Sequence, residues 1–160
     1  MKEAKQKQKA STSRMRAKEL TSIETGLRGL ADYLEHHLSL SREDTARLGR
    51  RLSTFDLRLH QCKIEAGRLL DKAVEIGVFQ DQGRLRRLIG SQRFKDNPEW
   101  GYRSAFERTC LNWIPKQTDG FDFEWKRKQV GQVRAYILGM RYLANCVAKS
   151  IENVGERRNS

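Results

Sequence analysis

Arg127, Arg134 and Arg141 recur at every seventh residue, inside the stretch KRKQVGQVRAYILGMRY and beside the apolar series Val130, Val133, Ile137 and Met140. On one helix that spacing stacks guanidinium groups along a flank at roughly 10 Å intervals. A guanidinium grips phosphate through two parallel hydrogen bonds and stacks on bases, so a regular ladder of them suits a sugar–phosphate strand. Lys128, Tyr142 and Lys149 fall on the neighbouring outer face, and Gly131 and Gly139 leave little bulk nearby. A second stripe consists of Arg47, Arg51, Arg58, Arg68 and Lys72, with Glu65 as the one acid in the row. A third group holds Arg84, Arg86 and Arg87, followed by Arg93 and Lys95. Such arginines have a competing use, covering an apolar seam with their stems and pairing with acids of a neighbouring helix.

Proteins that hold single strands interleave cations with exposed rings. Tyr142, Tyr136, Phe94 and Trp125 are the candidate rings, whereas Trp100, Phe106 and Trp113 read as core. RLRRLIGSQRF ahead of NPEWGYRSAFERT is a poor helix-turn-helix, because the linker is longer and more polar than that turn.

Catalytic signatures are missing. The chain has no GxxxxGK[ST], no GxGxxG and no HExxH. His36 and His37 adjoin, but a helical hairpin turning near residue 40 sets His60 opposite Leu20, roughly 25 Å away and out of reach of a shared metal. Cys62, Cys110 and Cys146 read as buried thiols. Glu43–Asp44 and Asp119–Asp122 sit where helix starts want carboxylates. No catalytic residue, metal or cofactor is expected.

The totals point the same way. Lysine and arginine number 32 against 20 acids, a formal charge of +12, which draws polyanions. Only 38% of residues are hydrophobic and two are proline, a composition suited to elongated helices. The unpaired cysteines and the lack of an apolar segment behind MKEAKQKQKASTSR lead to the expectation of a cytoplasmic protein without a membrane span.

Helices must position these groups. Leu20, Ile23, Leu27, Leu30, Leu34 and His37 alternate by threes and fours, as do Leu48, Leu52, Phe55, Leu59, Cys62, Ala66, Leu69, Ala73 and Ile76. Val130, Val133, Ile137, Met140, Ala144, Val147, Ile151 and Val154 form a third seam. The expected fold is all-α: an elongated bundle with long heptad-patterned helices over about 19–38, 42–77 and 123–154 and shorter ones over about 84–92 and 98–114. Residues 1–18 read as a flexible basic arm, 19–155 as one domain, and 156–160 as a polar end. The second helix, with apolar residues Ile64, Leu70 and Val74 off its seam, should be packed on two sides.

The expected activity is non-enzymatic binding of DNA or RNA with weak sequence specificity, as an accessory subunit alongside others in a nucleoprotein complex, of the RNA-guided defence or DNA-transfer type. The alternative is a coiled-coil adaptor that recognises an acidic protein partner.

Overall fold

The computed structural model describes residues 16–38, 57–79 and 83–159, with backbone only at 83–84 and 154–159. Its elements are α1 over residues 16–38, α2 (Leu57–Ile76), α3 (Gly83–Ile89), α4 (Pro98–Arg108), α5 (Phe123–Val130) and α6 (Gln132–Asn159). The described residues contain no strand, so the fold is an all-α bundle. Residues 1–15, the start of the expected helix over 42–77, and Arg47 and Arg51 lie outside the described residues. Residues 16–18 of the expected arm belong to α1.

The apolar seams become the core. Leu20, Ile23, Leu27, Ala31 and Leu34 of α1 are buried, as are Leu59, Cys62, Ala66, Leu70 and Ala73 of α2 and Val133, Ile137, Met140, Ala144 and Val147 of α6. Each fully buried leucine contributes about 2 kcal/mol. On α2, Lys63, Ile64 and Gly67 are buried beside that seam, so two sides of the helix are covered.

Pairings fix directions. Arg28 donates to Asn145 at 3.0 Å and Arg141 to Asp32 at 3.1 Å, so α1 and α6 run antiparallel. Arg68 meets Glu99 and Lys63 meets Glu107, each at 3.6 Å, so α2 and α4 are antiparallel too. Their backbones touch at Gly67, where an added Cβ would lie 2.0 Å from the Tyr102 carbonyl oxygen. The expected register of α1 against α2, Leu20 opposite residue 60, is not the one found. Gly26 instead lies against Leu69, whose Cδ1 would be 2.9 Å from an added Cβ.

Two expected helices differ in detail. The helix starting at Pro98 continues as a π-helical turn (Thr109–Trp113) and a 3-10 turn (Ile114–Lys116), so it passes Pro115 before Gln117 turns extended. The missing N–H of Pro115 forbids regular α hydrogen bonding through that point. The helix expected over 123–154 is interrupted at Gly131. That residue has φ 90 and ψ 163, a region essentially reserved for glycine. Its N–H closes α5 on the Arg127 carbonyl at 2.9 Å, and its carbonyl accepts from Ala135 at 3.1 Å to open α6.

The break has a large effect. In an unbroken helix Phe123 and Tyr136 would stand about 20 Å apart. Here their ring centroids are 4.9 Å apart, because α5 folds back along the bundle. Val130, read from the sequence as a seam residue, is 37% exposed as a result.

Candidate functional site

The short helix α5 carries the first group of cations. Asp122 caps it, its side chain accepting from the Trp125 N–H at 3.2 Å, and Phe123 buries one face against Tyr136. Two residues on, Trp125 points the opposite way and is 57% exposed. Lys128, one turn later, shares its face. Lys126 and Arg127 flank the packed side, and Arg127 donates to Glu124 at 3.1 Å. Lys126 and Lys128 have no ion-pair partner among the described residues.

On α6 the expected ladder keeps Arg134 and Arg141 on one flank, and the break puts Arg127 on another helix. Arg141 reaches across to α1 and pairs with both Asp32 and Glu35. Its hydrogen bond and charge hold the Glu35 carboxyl below the usual range, and Arg134 adds to that effect from two turns away. Arg134 itself makes no ion pair with a described residue. Tyr142 and Lys149 face the loop after Lys116 instead. The Tyr142 hydroxyl and Lys149 Nζ each donate to a different oxygen of Asp119 at 2.7 Å. Hydrogen bonds from Lys149 and Tyr142 depress the Asp119 pKa, while burial first and then Asp119 raise that of Tyr142. Gly139, expected to leave little bulk beside the cations, faces inward, where an added Cβ would lie 2.8 Å from Cys110 Sγ.

In the second stripe Arg68 is engaged as well. Arg68 pairs with Glu65 at 2.6 Å and with Glu99, and sits over the Tyr102 ring at 5.5 Å. Arg86 joins α3 to α2 through Asp71 and Glu75. Arg87 is exposed without an ion pair to a described residue, and Arg58 is exposed near the start of α2. The Arg84 side chain lies outside the described residues.

The rings sort differently from expectation. Tyr136 is 3% exposed and Phe94 is buried, each held inside by packing, Tyr136 between Phe106 and Phe123 and Phe94 against Gly101. Trp100, read as core, is 45% exposed and lies over His60 and Arg103 on the surface of the α2–α4 pair.

One cluster had no counterpart in the sequence reading. Lys63 is 1% exposed, with Nζ 3.6 Å from Glu107 and 4.2 Å from the Tyr136 ring centroid. Burial lowers its pKa and Glu107 opposes that shift. Arg103 donates to Glu107 at 2.7 Å and to His60 Nδ1, tying α4 to α2. Burial, reinforced by Glu107, pushes the Tyr136 hydroxyl up to about 12, and burial raises Cys62 to about 11 and Cys110 further. These thiols are therefore protonated and poor nucleophiles. Lys63 sits between the apolar positions of α2, and its partners come from helices distant in sequence.

Among the described residues no three His, Cys, Asp or Glu side chains gather as a metal site, and no helix is long and apolar enough to cross a membrane. No family model, curated protein or solved structure matches the chain.

Proposed function

We propose that this chain binds nucleic acid through the phosphate backbone, as an accessory subunit of a nucleoprotein assembly and without chemistry of its own. Phosphate recognition needs cations that are not already neutralised within the protein. The observation that supports the reading is the group Lys126, Lys128 and Arg134 around the Gly131 break, none ion-paired to a described residue in a chain of net charge +12. Arg134 has Glu35 nearby, but that carboxylate is committed to Arg141. The interface is centred on α5 and the start of α6, while Arg141, Tyr142, Lys149, Arg68 and Arg86 chiefly tie the bundle together.

Backbone binding of this kind weakens with salt in proportion to the phosphates contacted, by about 0.7 to 0.9 in log–log slope for each. Replacing Lys126, Lys128 and Arg134 together by glutamine should therefore flatten the slope by about two to three units. Helicity measured by circular dichroism should stay unchanged. A wild-type chain that fails to retain single-stranded or duplex oligonucleotides at low salt would overturn the proposal.

A further inference from the structure

We infer that the strand held at α5 is single-stranded and that one of its bases stacks on Trp125. This rests on the nucleic-acid reading above and narrows it to a substrate class.

Tryptophan is ordinarily well buried on average. Trp125 instead presents 57% of its surface on a helix whose other face is packed down by Phe123. Its backbone is held by the Asp122 cap, so the ring projects from a fixed base. Lys128 follows on the same face, and Lys126 stands about a quarter-turn round the helix, at the edge of the packed side. An apolar plane with ammonium groups at its rim matches a nucleotide, which joins an aromatic plane to an anion.

A duplex cannot use the ring in this way. Its bases stack on one another and show only their edges in the grooves, so a plane on a convex helix meets sugar and phosphate. An unpaired base can swing out and lie on the indole while its phosphates reach Lys126 and Lys128. Stacking of this kind is sequence-tolerant, since every base has a π-face.

The test uses the full chain with fluorescently labelled 15-nucleotide dT and U strands and a 15-base-pair duplex, read by anisotropy at one salt concentration. Trp125→Ala should weaken single-strand binding about tenfold or more, leave duplex binding within about twofold, and Trp125→Phe should retain most of the affinity. Trp125→Ala affecting both substrates equally, or neither, would overturn the single-strand assignment. If Lys126→Gln/Lys128→Gln still weakened binding in that case, the backbone reading would survive. If the wild-type chain bound none of the three probes, both would fall.

Discussion

Arg103 donates a hydrogen bond to Nδ1 of His60, across the seam between α4 and α2. A guanidinium has no lone pair to offer, so the imidazole must accept there, carrying its proton on Nε2 and no net charge. Trp100 lies against the same ring at 5.1 Å, with Lys63, Glu99 and Glu107 the other charged groups that act on it.

This arrangement makes stability depend on pH. Burial first and the Arg103 charge second lower the His60 pKa below the ordinary 6.5. The unfolded chain therefore takes up the proton before the folded one, and stability rises with pH in that window. Melting temperature, followed by circular dichroism, should fall as pH is lowered from about 7.5 through 6.5 and level off below the folded-state pKa. His60→Gln, which keeps an acceptor but cannot be protonated, should flatten that dependence. An unchanged profile in the variant would assign the effect elsewhere.

Lys63 and Glu107 should respond unequally to mutation. Losing Glu107 strands a buried ammonium and frees Arg103, so Glu107→Ala should cost about 3 kcal/mol, the low end for a broken buried pair because Glu107 is partly exposed. Lys63→Met removes the charge and keeps the volume, and should stay within about 1 kcal/mol of wild type. In the double variant much of the Glu107→Ala loss should be recovered. Urea denaturation of the three variants measures this.

Two glycines should answer alanine with opposite signs. At Gly67 the new methyl would meet the Tyr102 carbonyl oxygen at 2.0 Å, which forces α2 and α4 apart. A destabilisation of about 3 kcal/mol is expected. Gly29 lies on the exposed side of α1 with nothing within 4 Å of an added Cβ. Gly29→Ala should stabilise by about 1 kcal/mol through helix propensity alone. Thermal melts of both variants report the contrast.

Arg141 and Arg134 share one flank of α6 yet should separate in experiment. Arg141→Ala breaks a link from α6 to α1 that is largely exposed, costing about 1 kcal/mol or less, and should change oligonucleotide affinity little. Arg134→Gln should leave melting unaffected and lower affinity, with a shallower salt dependence. Equal effects of the two on binding would mean that the ladder acts as one surface.

The helices were legible in the sequence because apolar spacing reports a buried face directly. Most seam positions of α1, α2 and α6 lie inside as that spacing requires, with Leu30, Leu69, Ile76 and Ile151 partly buried at the margins. The Gly131 break was hidden because Val130 and Val133 keep the periodicity across it, and a glycine inside a helical pattern is ordinarily tolerated. The partners of the cations were hidden for a different reason. Asp32 and Glu35 lie more than a hundred residues from Arg141, and no local spacing reveals which acids a fold brings beside a base. Lys63 shows the same limit: its burial follows from the approach of α4 and α6, not from its neighbours in sequence. Trp125 was identifiable as a candidate ring, but only the folding back of α5, which sets Phe123 on Tyr136, and the packing of Phe94 against Gly101 separated it from those two.

The corner at residue 131 also constrains how this chain can evolve. Asparagine, the usual substitute where glycine takes a positive φ, favours a ψ far from 163 and fits poorly. Lineages that keep the corner should hold glycine there while drifting freely at the solvent-facing positions around it. A lineage that loses it should lose the selective reason for an aromatic at Phe123 as well, since straightening the chain would carry that ring out into water.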